Sequence, residues 1–153
     1  MESTTERLTV QRELEIAAAP ETVWEFLVDP AKASRWWGTS VEMDVRPGGV
    51  YRVELNPGHI LRGEFVELDP PRRLVYSFGW EAGGGGPSTV PPGSSTVEIE
   101  LSPSARGTTL RLWHRNLPGP EAASAHGEGW DHYLPRLELA AAGGDPGSDP
   151  WLD

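Results

Sequence analysis

Along the middle of the chain apolar positions recur every second residue, and toward both ends they recur every three or four. The period-two region spans 41–115. Within it, residues 41–45, 50–55, 60–68 and 74–80 read as strands, divided by Pro47-Gly48-Gly49, Asn56-Pro57-Gly58 and Asp69-Pro70-Pro71-Arg72. Val97, Ile99 and Leu101 alternate in the next strand, and Leu110, Leu112 and His114 in the last. A looser alternation over 8–16 predicts one more strand before them. Clean alternation with short connections predicts an antiparallel sheet covered on one face.

The helical signals flank this region. Pro20 suits a first helical position and Glu21 the positive helix end, and Val23, Trp24, Phe26 and Leu27 supply an apolar face before Asp29-Pro30. A second short piece over 31–35 runs into Trp36-Trp37. The final helix opens at Pro120 and extends to about residue 142, with Trp130, Leu134, Leu137 and Ala141 as a buried stripe and Tyr133 widening it. Pro135 within that pattern predicts a bend, and Gly143-Gly144 a stop.

The length of 153 residues fits one domain, read as 8–144, with polar tails at 1–7 and 145–153. The absence of cysteine excludes a disulfide framework, a thiol nucleophile and a thiolate zinc site. A net charge of -10, with no basic cluster longer than Arg72-Arg73, argues against a nucleic-acid partner. No run of about 18 apolar residues is present to span a membrane, and the polar residues 1–7 have no signal-peptide core. The expected location is cytoplasmic. The Gly/Pro/Ser-rich segment 81–94 predicts a mobile loop at the end of an aromatic strand, placed where a lid would sit.

Seven tryptophans sharpen this reading, and all but Trp151 fall in or beside predicted elements. Tyr76, Phe78, Trp80, Leu112 and His114 share the inward phase of the sheet, and Trp130, Tyr133 and Leu134 face them from the last helix. Trp37 falls near the open end of the sheet. These residues are the candidate ligand-binding set, although pattern alone does not separate pocket lining from core packing and favours core packing. His114, in phase with Leu110 and Leu112, could orient a ligand or shuttle a proton, but the better reading is a strand-end histidine satisfied by backbone or water. Glu128 and His132 lie four apart, a spacing compatible with a shared metal. With no third ligand in phase, an exposed acid–imidazole pair is the better reading. Arg62 and Glu64 share a face, and a bulge would decide whether it is inner or outer. No nucleophile elbow, phosphate loop or dinucleotide fingerprint occurs, and no catalytic residue, metal or cofactor is assigned.

Particular words accompany this order of elements: Ala19-Pro20-Glu21-Thr22-Val23-Trp24, Trp36-Trp37, Pro47-Gly48-Gly49-Val50-Tyr51, the stretch from Gly63-Glu64-Phe65 to Arg73-Leu74, Gly107-Thr108-Thr109-Leu110, and Gly129-Trp130-Asp131-His132-Tyr133-Leu134. Together they resemble the START-like (SRPBCC) superfamily, over about residues 8–144. Within it they resemble the group named for the C-terminal domain of the heat-shock ATPase activator. The resemblance implies an α+β helix-grip fold, with six or seven antiparallel strands curved around a long C-terminal helix and two short helices after the first strand. It also implies a cavity for a lipid, polyketide, aromatic or other apolar molecule. It implies no single activity. Binding of a small hydrophobic or amphipathic ligand is the leading expectation. A cyclase- or hydrolase-type enzyme using His114 or a buried carboxylate, and a chaperone-interaction module, remain open, as does a homodimer.

Overall fold

The computed structural model describes residues 7–37, 40–56, 59–81, 90–147 and 149. In chain order the elements are β1 (Arg7–Ile16), α1 (Pro20–Val28), α2 (Pro30–Ala33), β2 (Ser40–Met43), β3 (Val50–Asn56), β4 (His59–Asp69), β5 (Arg73–Phe78), β6 (Ser95–Ser104), β7 (Gly107–Pro118) and α3 (Gly119–Ala141). The strands make one seven-stranded sheet in the order β1-β7-β6-β5-β4-β3-β2, antiparallel at every pairing. The first strand thus pairs with the last, and α1 and α2 carry the chain between opposite sheet edges. This is the α+β helix-grip arrangement that the family resemblance implies.

One face of the sheet is the core face. In β6, Ser95, Val97, Ile99 and Leu101 are buried while Thr96, Glu98 and Glu100 are half-exposed, the period-two pattern of a strand covered on one side. The long α3 lies over that face against β1 and β7, with α1 beside it. Its buried stripe includes Ala122, His126, Trp130, Tyr133, Leu134 and Leu137. The helix continues through Pro135, whose position is exposed. Register shifts interrupt the ladder at Leu8/Val10, Glu54/Asn56 and Phe65/Glu67. An extra residue in one strand bends it and increases its twist, which helps a sheet to curve around a helix.

The structure resolves which way β4 faces. Leu61, Gly63 and Phe65 are buried, whereas Arg62 and Glu64 are exposed on the outer face. Arg62 pairs there with Glu81 at 3.6 Å. Gly63 is required by close approach: a Cβ would lie 1.8 Å from the Ser77 carbonyl oxygen. The strand predicted over 74–80 is shorter than its pattern. Regular pairing stops at Phe78, because Gly79 runs against Pro91, where a Cβ would lie 1.9 Å from the carbonyl oxygen. Trp80 rejoins as an isolated bridge to Leu61 and donates its N–H to the Val90 carbonyl at 2.8 Å. The centre of the loop predicted over 81–94, and Trp151, lie outside the described residues. Among the described residues no helix is long and apolar enough to cross a membrane.

Candidate functional site

A cavity of about 310 Å³ opens between α3 and the end of the sheet formed by β3, β4 and β5. Leu55, His59 and Leu61 form its sheet side, with Phe78 and Trp80 at the end of β5. Trp37 closes it from the segment after α2. The helix contributes Ala125, His126, Gly129, Trp130 and Tyr133. Positions 125, 129 and 133 recur every four residues, so they fall on one helix face, and two of them are alanine and glycine. A Cβ at Gly129 meets nothing within 4 Å. The space therefore persists because the residues facing it are too small to fill it, while aromatic rings hold its walls apart.

Those rings form a continuous cluster. Trp37 lies 5.3 Å from Trp130 and 5.7 Å from Tyr133, centroid to centroid. Phe78 stands edge-on to Trp80 at 5.8 Å, to His126 at 5.6 Å and to His114 at 4.4 Å. Tilted and edge-to-face contacts at these separations are the favourable geometries for aromatic quadrupoles.

Most polar atoms in this cluster are committed to one another. The Trp130 indole N–H donates to His114 Nδ1 at 3.1 Å. Ser95 donates its hydroxyl to the Phe78 carbonyl at 2.9 Å, so its oxygen accepts from His114 Nε2–H, also at 2.9 Å. The Trp80 indole N–H donates to His126 Nε2 at 3.1 Å, which leaves His126 Nδ1–H to donate to the Ala122 carbonyl at 2.7 Å. Each partner set requires a neutral ring of defined tautomer. Burial, reinforced by the neighbouring His126, pushes the His114 pKa down to about 3. Burial also lowers that of His126, against a small opposing effect of its bond to Ala122. One donor stands apart: Trp37 Nε1 is buried with no hydrogen-bond partner among the described residues.

The structure sorts the sequence-predicted residues into two groups. Trp37, Phe78, Trp80, Trp130 and Tyr133 line the cavity. Tyr76, Leu112, His114 and Leu134 are buried but do not line it. Tyr76 stacks on Tyr51 at 4.1 Å, with burial raising both phenol pKa values. His114 is wholly buried behind Phe78 and Trp130. His126, Leu55, His59, Leu61, Ala125 and Gly129 complete the wall and are absent from the predicted set. A helical projection through Trp130 and Tyr133 reaches Ala125, His126 and Gly129, but two of these have too little side chain to stand out in a sequence.

Glu128 and His132 do not form the predicted exposed pair. The half-buried His132 instead meets Asp149 at 2.6 Å, and Asp149 also accepts a hydrogen bond from Tyr133. Burial first, and then Asp149, raise the Tyr133 phenol pKa. Arg136 reaches the carbonyls of Trp36, Pro146 and Gly147, tying the segment after α3 to the helix and to the turn that carries Trp37. Among the described residues no three His, Asp or Glu side chains gather as a metal site.

A family profile described as "Activator of Hsp90 ATPase homolog 1-like protein" matches residues 17–142. The solution structure of an AHSA1-like protein from Rhizobium etli is 46% identical, with a TM-score of 0.77, covering 100% of this chain and 94% of that one. CalU16 from Micromonospora echinospora is 27% identical, with a TM-score of 0.67 and coverage of 90% and 76%. The Aha1 dimer from Colwellia psychrerythraea, 17% identical with a TM-score of 0.75 over 90% and 98%, shares the fold. No curated protein matches the chain.

Proposed function

The chain belongs to the activator of Hsp90 ATPase homolog 1-like family, and from that premise we propose that it binds a small, largely apolar molecule between the sheet and α3. The observation that carries this reading is an open, aromatic-walled cavity between the sheet and α3. Protein interiors are normally close-packed, and about 310 Å³ falls at the small end of ligand pockets. The ring edges and faces around it match the flat apolar surfaces of an aromatic or conjugated molecule. Affinity would come from removing that surface from water, at roughly 25 cal/mol per Å² before the cost of association.

Two other readings draw less support. Acid–base catalysis by His114 needs a ring within reach of substrate. Its two nitrogens are engaged, and Phe78 and Trp130 pack against the ring at the cavity side. A protein-docking role favours a contiguous apolar patch. The exposed large apolar residues among those described are Val45, Val66 and Leu139, which lie on separate segments of the fold.

Native mass spectrometry with organic extraction tests the proposal on protein purified from its own host. The expected result is a co-purifying apolar molecule that a Gly129→Leu variant, with its side chain filling the cavity, no longer retains. Equal retention by both proteins, or by neither, counts against this site.

A further inference from the structure

Beyond residue 144 the chain reads as a polar tail in sequence, yet its described residues are held by three side chains of α3. Arg136 donates to the Pro146 carbonyl at 3.3 Å and to the Gly147 carbonyl at 2.9 Å. A turn shapes the backbone there: the Asp145 carboxylate accepts the Gly147 N–H at 2.9 Å, and Gly147 is left-handed at φ 72°. Asp149 is then brought down onto the helix, where only 7% of it stays exposed. A carboxylate tolerates such burial when it is paired. His132 meets it at 2.6 Å, and the Tyr133 hydroxyl donates to it. The matched family span ends at residue 142, before this segment begins.

Tyr133 links the segment to the cavity. Its ring lines the space and stands edge-on to Trp37 at 5.7 Å, while Asp149 is not one of the lining residues. The hydroxyl is therefore engaged behind the wall that the ring forms. Ala125 and Gly129 on the same helix face leave room beside the ring, and an unanchored ring could hop to another staggered rotamer in that room. From this we propose that Asp149 is a positioning residue of the cavity, which holds the Tyr133 ring in the wall. Seating of the segment that carries Asp149 and binding of an apolar ligand then favour each other. The inference rests on the cavity being a ligand site, as proposed above.

Naphthalene and fluorene, two uncharged flat probes, test it by calorimetric titration of the full chain. A probe that binds the native protein and not Gly129→Leu reports on the cavity. Asp149→Ala should weaken that probe about fivefold, the low end of couplings between sites. Asp149→Asn keeps an acceptor for the phenol and should bind within about twofold of the native protein. In Tyr133→Phe, which has the ring but no hydroxyl to hold, Asp149→Ala should weaken binding no further. Coupling is reciprocal, so saturating probe should slow hydrogen exchange at the Gly147 amide by about the same factor. An Asp149 that only attaches the segment would lower stability and leave probe affinity unchanged, a result that overturns the proposal. A loss that persists in full in Tyr133→Phe overturns it too. If Asp149→Ala does not fold, the native chain decides: Gly147 exchange unmoved by saturating probe also overturns the proposal. Should neither probe bind the native protein, or both bind Gly129→Leu equally well, the cavity reading fails and this inference with it.

Discussion

The two buried histidines behave as structural groups because each ring nitrogen has a fixed task. Removing one partner exposes what that task is worth. Trp130→Phe keeps an aromatic wall but leaves His114 Nδ1 without its donor. A loss of about 1–3 kcal/mol is expected, read as a lower denaturation midpoint at unchanged slope. The same rings set an acid limit. Folding keeps them neutral, while the unfolded chain protonates them near pH 6.5. Their contribution is therefore complete above about pH 6.5 and is lost as pH falls below it, for His114 over the interval down to about 3, where that ring titrates when folded. His114 adds a slope of about 1.4 kcal/mol per pH unit in that interval, and His126 acts in the same direction. His114→Gln should give a shallower acid denaturation profile than the native chain, and an unchanged profile would show that other groups govern it.

At the scale of elements, glycines decide where strands and helix come close or stand apart. Gly63→Ala places a methyl against the Ser77 backbone across β4 and β5. Because backbone rather than a flexible side chain opposes it, the expected cost is about 3 kcal/mol or more, measured by thermal or denaturant unfolding. Gly129→Ala on α3 has open space before it, so helix propensity should raise stability by up to about 1 kcal/mol. A loss there would mean that the cavity is narrower than described. The strands were legible from alternation, which β6 follows from Ser95 to Leu101 and β7 from Thr108 to His114, before the phase shifts at Asn116 to bury Leu117. What alternation did not reveal was the end of β5: Trp80 continues the inward phase of Tyr76 and Phe78, but Gly79 against Pro91 interrupts the pairing. That interruption depends on how the connection after the strand folds back, twelve residues on, which alternation does not report.

Across the whole molecule, charge and cavity are decoupled. The chain carries a net charge of -10, yet the cavity wall is built largely of rings and aliphatic groups. Affinity for the uncharged apolar molecule proposed to bind there should accordingly be insensitive to ionic strength between about 0.1 and 1 M, conditions over which the Debye length falls from about 10 to 3 Å. Saturation at 100 times Kd stabilises by about 2.7 kcal/mol, a rise in Tm of roughly 5–10 °C for a domain of this size. A marked salt dependence would place the ligand on the charged exterior instead. By itself the sequence determined the strand and helix order, the face that α1, α3, β5, β6 and β7 bury and the family, because these follow from local periodicity and from words of fixed spacing, whereas the inner face of β4 was decided by the structure. It also named Trp37, Phe78, Trp80, Trp130 and Tyr133 as inward rings. Only the tertiary structure decided that these five border open space while Tyr76, Leu112, His114 and Leu134 are enclosed by other side chains. The same holds for the indole N–H of Trp37, which has no partner among the described residues while those of Trp80 and Trp130 find histidines. A buried ring has the same periodicity whether it meets another side chain or a cavity, and that difference depends on small residues such as Ala125 and Gly129 on a distant element.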